Sequence, residues 1–389
     1  MKKQLDLLYY VVFSIYCVIY WICETSLILL YPDAIYSCYK FIRVICVIVL
    51  FIKVLLEGLS LSQYVASLLL FVMLLMSTIQ SGSWNLLLML VFVLASSHIN
   101  FNRLAKIMLV VSASITALAV VLSILGYIPL VYIHTESYVY RGAYGFSHPN
   151  QLSLCVLSMC IALAVLRFRH FGILDTVFCI ACDVLIIVFP KSRTEALCLL
   201  FVVVISIVCT LDKEQKRNRL LLSIGCGIVL MSQMISIYLM KNYDSGKNWM
   251  YQINKIVSGR IDLANHFYLS YPVKPFGYNY SEISDVWYKG WQGFVVDNAF
   301  CHTYLEEGYL VEYVLFALII VLFLKCIYLN KLTQSMYCLL LFTPVFFCEG
   351  TVLYISVNIG LVALNYLLDG TWETQKTGVS ISQEKRHIV

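Results

Sequence analysis

Apolar stretches long enough to cross a lipid bilayer recur along almost the whole chain. A helix needs about 20 apolar residues to span the hydrocarbon core. The 389-residue sequence is 61% hydrophobic, and only 13% of its residues are charged. An ordinary soluble domain is about half apolar and about a quarter charged. The composition therefore excludes a water-soluble enzyme and a disordered chain, and it predicts an all-α integral membrane protein.

Twelve apolar stretches predict about 12 transmembrane helices. Lysines and arginines cluster in alternate connections, which under the positive-inside rule predicts that both termini are cytoplasmic. Lys40 and Arg43 are exceptions, because they lie at the start of the second span, on the predicted outer side. The approximate limits of the spans are 7–30, 36–56, 61–79, 84–98, 104–127, 150–166, 171–189, 194–211, 219–239, 304–328, 334–349 and 351–368.

One long segment leaves the membrane in this topology. Residues 240–303 form a large extracytoplasmic loop, rich in Tyr, Trp, Asn and Gly. The loop separates the first nine helices, within residues 1–239, from the last three, within residues 304–368, and residues 369–389 form a cytoplasmic tail. Long loops in compact proteins are usually functional or disordered. The aromatic content of this loop argues against disorder.

Three arginines fall in three different outer segments. They are Arg141, Arg193 and Arg260. Arginine presents a planar fork of N–H donors that matches phosphate oxygens. If the three converge, they form an outward-facing diphosphate site in which Arg193 and Arg260 are the main members and Arg141 is the weaker one. The alternative is that each binds lipid head groups at the membrane edge.

A glycine-containing turn leads directly into the sixth span. Two glycines precede His148, Pro149 and Asn150. Proline is tolerated at the first helical position, and a helix start carries a partial positive charge. His148 and Asn150 are therefore candidates for binding an anionic substrate. The alternative is a re-entrant turn in which the asparagine caps the helix.

Acidic residues inside the apolar stretches are a further candidate group. Glu24, Asp183 and Glu195 lie in predicted spans. Ionisable residues in a membrane are costly and are often functional. We favour a structural interpretation, a hydrogen bond or ion pair between helices, such as Glu195 with Arg193 at the outer edge.

Short patterns in a fixed order provide a family resemblance. They occupy residues 145–150 (Gly-Phe-Ser-His-Pro-Asn), 192–194 (Ser-Arg-Thr), 259–260 (Gly-Arg), 276–279 and 297–308. Together they resemble the O-antigen ligase/polymerase superfamily, integral-membrane transferases that act on polyprenyl-diphosphate-linked glycans. The resemblance covers most of the chain. It implies a GT-C-like membrane fold with a catalytic outer loop, in the bacterial cytoplasmic membrane.

One position separates the polymerases from the ligases in that superfamily. The ligases carry a histidine near the end of the large loop, and this sequence has Asp297 there. The resemblance is therefore to Wzy-type polysaccharide polymerases of O-antigen, capsule or exopolysaccharide biosynthesis. Such an enzyme is a glycosyltransferase that passes a growing glycan from undecaprenyl diphosphate to a lipid-linked repeat unit.

The resemblance and the residue chemistry together name the expected site. A carboxylate can act as the general base for a sugar hydroxyl, so Asp297 is the first choice and His302 or His148 the second. The expected catalytic residues are Arg193, Arg260, Asp297 and His302. The expected substrate-binding residues, for diphosphate and glycan, are Arg141, His148, Asn150, Asn298 and Tyr278.

We expect no metal, no cofactor and no nucleic acid. The outer loops contain no Asp-x-Asp pair, and the Cys179-x-x-Cys182 spacing has no second pair. Arginines would then stabilise the leaving diphosphate. The expected partners are the undecaprenyl-diphosphate-linked oligosaccharide and the lipid bilayer, with chain-length regulator and flippase proteins as further ones.

Two other functions compete with the polymerase. The first is a ligase that transfers a finished glycan to another acceptor. The second is a lipid-linked oligosaccharide flippase or transporter. A transporter typically has internal two-fold repeats and charges along a central cavity, whereas this sequence has no evident repeat and concentrates polar residues in one loop.

Overall fold

Helices make up nearly all of the regular structure. A computed structural model describes residues 2–58, 61–135, 138–280, 287–288, 291–292 and 294–368. The predicted cytoplasmic tail, 369–389, lies outside the described residues. The helices are α1 Lys2–Cys23, α2 Pro32–Glu57, α3 Leu61–Ser81, α4 Asn85–Leu94, α5 Phe101–Ile124, α6 Pro149–Leu166, α7 Ile173–Val188, α8 Arg193–Leu211, α9 Asn218–Asn242, α10 Asn248–Ile256, α11 Arg260–Ser270, α12 Ala299–His302, α13 Tyr309–Tyr328, α14 Gln334–Phe342, α15 Val345–Cys348 and α16 Asn365–Leu368.

Seven of these helices are long and apolar enough to cross a membrane. They are α1, α3, α5, α6, α8, α9 and α13. Many large apolar side chains are exposed on the outer faces of the bundle, for example Ile173 and Leu174 on α7. Extended apolar surface of this kind is unfavourable in water and favourable in lipid. The expectation of an all-α, multi-pass membrane protein is therefore confirmed in this coarse form.

Three predicted spans are short or broken. Helix α4 has ten residues, about 15 Å at the usual rise. The predicted span 334–349 is interrupted at Thr343 and Pro344, between α14 and α15, and 351–368 consists mostly of short 3₁₀ turns that precede α16. All three segments are almost entirely buried. Non-helical backbone at membrane depth is tolerated where other protein segments surround it.

The connections between helices fall at two ends of the bundle. At one end, Ser147 bonds to Glu24, Ser26 to Pro129, and Asn298 to Phe347. At the other end, Arg169 bonds to Asn218, Gln334 to Asn102, and Lys325 to Tyr366. Successive connections alternate between these ends, as repeated membrane crossing requires. We call the first the arginine end, because the segments that carry Arg141, Arg193 and Arg260 lie there.

Two short hairpins at the arginine end were not predicted from the sequence. Strands β1 (Tyr132–Thr135) and β2 (Tyr138–Gly142) are antiparallel, with Ile133 opposite Arg141. Strands β3 (Trp287–Tyr288) and β4 (Trp291–Gln292) form the second pair. Strands this short carry too few alternating residues for their periodicity to be recognised. The first hairpin holds Arg141, one of the candidate site residues.

Arg43, which lies on the predicted outer side of the membrane, contacts a nearby aromatic ring. Its guanidinium lies over the ring of Tyr39, 4.4 Å from the centroid. The Tyr39 hydroxyl lies 3.5 Å from that of Tyr16 on α1. A cation over an aromatic face is stabilised by the negative charge of that face. This contact explains how the positive charge is tolerated near the membrane edge.

Candidate functional site

Arg141 ties three segments together at the arginine end. From strand β2, its Nε donates to the carbonyl oxygen of Pro190 at 2.9 Å, and its Nη2 donates to Oδ1 of Asn150 at 2.7 Å. One guanidinium therefore links the hairpin, the start of α6 and the turn before α8. The bonds leave in two fixed directions, which only the arginine fork can supply.

His148 and Asn150 divide their roles differently from the sequence-based expectation. His148, not Asn150, caps α6: its Nδ1 accepts a hydrogen bond from the backbone N–H of Asn150 at 3.1 Å. Burial lowers the pKa of His148 to about 4. The charge of Asp297 opposes this shift, and the charges of Arg141 and Arg260 add to it. The ring is therefore neutral near pH 7 and carries its proton on Nε2. Pro149 lies at the first helical position, as predicted.

The turn before α6 requires glycine at one position. Gly145 has φ +89°, and a Cβ there would lie 2.2 Å from the carbonyl oxygen of Ala119 on α5. Glycine alone combines a left-handed backbone with so close an approach. The next residues are bonded to the end of α1, where Ser147 donates its N–H and hydroxyl to the Glu24 carbonyl. This explains why the turn has Gly-Phe-Ser before its histidine.

Arg260 lies at the first position of α11 and is held in place from the preceding helix. Oδ1 of Asn254, on α10, accepts the N–H groups of Ile261 and Asp262, each at 3.1 Å. These bonds satisfy backbone donors that a helix start leaves without a partner. Gly259 adopts φ +83° in the turn between the two helices. The Gly-Arg pattern therefore makes a sharp turn that fixes the origin of the arginine side chain.

The Arg260 guanidinium contacts three other segments. Its Nε lies 3.1 Å from Oδ2 of Asp297, its Nη2 lies 3.6 Å from Oε1 of Glu349, and its Nη1 lies 3.5 Å from Oγ1 of Thr194. Asp297 was expected in the site. Burial alone would lower the pKa of Arg260, but the three neighbouring carboxyl groups, those of Asp297, Glu349 and Glu195, outweigh it and raise that pKa.

Two buried acids lie near Arg260. Glu195 accepts hydrogen bonds from the hydroxyls of Ser192 and Thr194. Oε1 of Glu349 lies 3.6 Å from Nη2 of Arg260, and the charge of Glu195 also acts on this guanidinium. The hydrogen bonds of Glu195 support its structural interpretation, with Ser192 and Thr194 as the partners. Glu349 was missed, although an acid in an apolar stretch is a recognisable signal.

Asp297 and Asn298 are adjacent but serve different purposes. Asn298 caps α12, because its Oδ1 accepts from the N–H groups of Phe300 and Cys301. Its Nδ2 donates to Ser236 at 2.9 Å and to the Phe347 carbonyl at 3.0 Å. These four bonds use the whole capacity of an asparagine amide. Asn298, expected to bind substrate, therefore orders the protein, and Asp297 is left to face Arg260.

The other expected residues lie near this group but not in it. Arg193 is exposed at the first position of α8. His302 and Tyr278 belong to a neighbouring aromatic group, in which Nε2 of His302 lies 3.5 Å from Oε2 of Glu306. Burial lowers the pKa of His302, whereas Glu307 and Asp297 act in the opposite direction. The structure thus brings Arg141, His148, Arg260 and Asp297 into one electrostatic group.

Arg141 and Arg260 contact neighbouring residues of one short segment. Arg141 bonds to Pro190, in the turn before α8, and Arg260 contacts Thr194, the second residue of α8. Burial lowers the pKa of Arg141, and the charge of Arg260 lowers it further against the attraction of nearby acids. Two cations on one short segment favour the binding of an anion.

No protein-family model, curated protein or solved structure matches the chain. Among the described residues, no three His, Cys, Asp or Glu side chains are grouped so that they could hold a metal ion. The assignment of this site therefore depends on its own geometry.

Proposed function

We propose that this protein is a membrane glycosyltransferase that polymerises a polysaccharide. It transfers a growing glycan from polyprenyl diphosphate to a lipid-linked repeat unit. The observation that supports this most directly is the convergence of Arg141 and Arg260 on the segment from Pro190 to Thr194, with Asp297 paired to Arg260. These residues come from separate segments, and they meet at the end of helices that are long enough to cross a membrane.

The arginines are suited to the diphosphate of the donor. A guanidinium has five N–H donors. Hydrogen bonds to the described residues use two N–H groups of Arg141 and two of Arg260, which leaves N–H groups on each for phosphate oxygens. The leaving diphosphate gains negative charge as the sugar departs, and preorganised cations stabilise that charge. His148, neutral near pH 7, adds no charge of its own.

Asp297 is suited to activate the acceptor. Its side chain is 31% exposed, whereas those of Arg260 and Glu349 are 14% and 4% exposed, so a substrate hydroxyl can reach it. The acceptor oxygen forms a bond to the anomeric carbon, and the bond from that carbon to the diphosphate oxygen breaks. The hydroxyl proton passes to the Asp297 carboxylate, and the bonding electrons leave with the diphosphate. The step requires no oxidant or other reactant.

Glu195 and Glu349 maintain the site before substrate binds. A buried cation without a counter-charge is strongly destabilising. Glu349, 3.6 Å from Arg260, and Glu195 supply that charge. The pair also fixes the direction of the guanidinium.

The location of the site suits a lipid-linked substrate. The polyprenyl chain remains in the bilayer, and the diphosphate lies at its surface, level with the ends of the spanning helices. The charge distribution of the connections favours the outer face of a bacterial cytoplasmic membrane for the arginine end. Chain-length regulators and flippases are the partners that such a reaction needs.

Deletion of the gene, followed by a gel of surface glycan, tests the proposal. We expect loss of the polymer ladder while single repeat units remain. Complementation with the wild-type gene should restore the ladder, and complementation with R141A should not. Full-length chains retained on the carrier lipid would instead indicate a ligase, and an unchanged ladder would contradict the proposal.

A further inference from the structure

A cluster of aromatic side chains lies next to the arginine site in the large loop. We call it the aromatic recess and define it by Tyr271, Tyr278, Tyr280, Phe294, His302 and Glu306. The rings of Tyr280 and Phe294 are stacked with their centroids 4.2 Å apart. Tyr278 lies 5.1 Å from Tyr280, and His302 lies 5.2 Å from Phe294. Most members are only half-buried, so part of the ring surface is accessible.

Two buried oxygen atoms in the aromatic recess have unused hydrogen-bonding capacity. Tyr280 is 3% exposed, and its hydroxyl makes no hydrogen bond to any described residue. Oε2 of Glu306 is also buried without a hydrogen bond in the described chain, with Nε2 of His302 at 3.5 Å. Leaving such groups without a partner costs free energy. A bound molecule with hydroxyl groups would satisfy both.

The aromatic recess is preorganised by its backbone. The N–H of Tyr278 donates to the carbonyl oxygen of Glu306 at 3.0 Å. Gly277 has φ +93°, and a Cβ there would lie 2.0 Å from that same oxygen. The backbone segments that carry Tyr278 and Glu306 are therefore held in a fixed relation before any ligand binds.

The aromatic recess adjoins the arginine site through one short segment. Glu349 contacts Arg260, and a Cβ on the next residue, Gly350, would lie 2.8 Å from Cδ2 of His302. The same Cβ would lie 2.9 Å from the carbonyl oxygen of Val296, the residue before Asp297. Asp297, paired with Arg260, therefore follows a residue that lies next to the same glycine as His302 of the aromatic recess.

We propose that the aromatic recess binds a sugar ring of the acceptor repeat unit, a role that rests on the proposed function. Aromatic faces are negatively charged at their centres and attract the C–H groups of a pyranose. The Tyr280 hydroxyl and the Glu306 carboxyl group bond to sugar hydroxyls. The attacking hydroxyl then lies at Asp297, opposite a diphosphate held by the arginines. The donor and acceptor thus occupy two adjoining sites with the base between them.

Direct binding of saccharide to the full chain tests this site without requiring turnover. The probe is a mixture of oligosaccharides released by partial acid hydrolysis from the surface polysaccharide of the same cells. Calorimetry on the detergent-solubilised protein measures the Kd. Y280F removes one hydroxyl and keeps the packed ring, and we expect it to weaken binding about fivefold, the value of one net hydrogen bond. E306Q should weaken binding about tenfold.

Stability separates a binding role from a structural one. Loss of an unpaired buried hydroxyl should leave the thermal midpoint of Y280F unchanged or raise it. A matched control is Y328F, because Tyr328 is 82% exposed at the opposite end of the bundle, and it should bind as the wild type does.

The outcomes distinguish this site from the proposed function. No binding by the wild-type protein, or wild-type affinity in both Y280F and E306Q, overturns the saccharide site even if gene deletion abolishes the ladder. Binding that depends on Tyr280 and Glu306, in cells whose ladder survives deletion, supports the site and rejects the polymerase.

Discussion

At the scale of single residues, neighbouring polar side chains have distinct tasks. The side-chain amide of Asn298 makes all four of its hydrogen bonds to other groups of the protein. The adjacent Asp297 forms an ion pair with Arg260 and remains partly exposed. An aspartate at position 297 can act as a base, cap a helix or pair with an arginine. Because Asn298 is the cap, two roles remain for Asp297, and one side chain can fill both.

D297N tests the role of Asp297 as a base, because asparagine has almost the same shape as aspartate. We expect polymerisation to fall by about 10²–10⁴-fold, since an amide cannot accept the hydroxyl proton. The measurement is the rate of repeat-unit consumption by purified protein in lipid vesicles. Donor binding is measured alongside, because loss of the ion pair with Arg260 could also weaken it. The matched control is D244N, an exposed aspartate of the same loop. Near-normal turnover in D297N would exclude general-base catalysis by this residue.

Substitution of the three arginines should reduce polymerisation in a different order from the one suggested by the sequence. Arg141 is half-buried and bonds in two directions, and Arg193 is exposed. A lysine cannot replace a fork that acts in two directions. R141K and R260K should therefore lose most polymerisation, and R193K should retain most of it. Ladder length on a gel at matched protein levels gives the ranking, and a severe defect confined to R193K would contradict it.

The buried histidine should make stability depend on pH. The pKa of His148 is about 4 in the folded protein, below its ordinary value of 6.5. Between these values the unfolded state binds more protons, so the stability contributed by neutral His148 is complete above pH 6.5 and is lost as the pH falls toward 4. H148Q should therefore show a smaller decrease in thermal midpoint than the wild type between pH 7 and pH 5. Equal decreases in the thermal midpoints of the two proteins would contradict the lowered pKa of His148.

At the scale of elements, turns that pass close to a helix fix the site. The Gly-Phe-Ser-His-Pro-Asn element works because Gly145 packs against α5 and Ser147 bonds to the end of α1. In this arrangement His148 caps α6, and Oδ1 of Asn150 accepts a hydrogen bond from Arg141. Gly277 and Gly308 also carry positive φ values and contact backbone atoms closely. Local sequence indicates such turns, but the helix that each approaches is a tertiary feature.

A pair of glycine variants separates backbone strain from close packing. Gly145 and Gly126 both have positive φ, but a Cβ at Gly126 would meet nothing within 4 Å. G126A should therefore cost about 1–2 kcal/mol from backbone strain alone. G145A adds the clash with Ala119 and should cost about 2–5 kcal/mol in total. Thermal unfolding in detergent measures both, and equal midpoints would show that the turn does not pack against α5.

At the scale of the whole molecule, the alternation of connections makes the arginine end a single face. Impermeant thiol labelling in intact cells shows on which side of the membrane this face lies. Among the described residues, Cys38 is the one exposed cysteine, and Cys23 is partly exposed. Both must be replaced by serine first.

In that background, a cysteine introduced at Asp244 should react with reagent added outside, and one introduced at Gln215 should not. Both positions are exposed, and they lie at opposite ends of the bundle. The physical reason is the cluster of lysines and arginines around Gln215, which favours the cytoplasmic side. Labelling at Gln215 but not at Asp244 would show that the topology is the reverse of the predicted one. It would then contradict a reaction on the outer face.

The sequence by itself determined the membrane class, most helix positions and several local turns. Apolar runs of about 20 residues favour spanning helices, and the position of Pro149 at a helix start follows from the sterics of its own backbone. The sequence did not predict the break at Thr343 and Pro344 or the short helix α4, because those segments are enclosed by other parts of the protein. Apolar composition does not distinguish a helix in lipid from irregular backbone inside protein.

Only the tertiary structure decided which charged groups meet. Arg260 reaches Asp297 across 37 residues of chain, and the acid near it, Glu349, comes from the C-terminal part. Sequence spacing carries no information on such contacts, because they depend on how helices pack and on where each connection emerges. The strength of an ion pair is set by distance and burial, and both quantities exist only once the chain has folded.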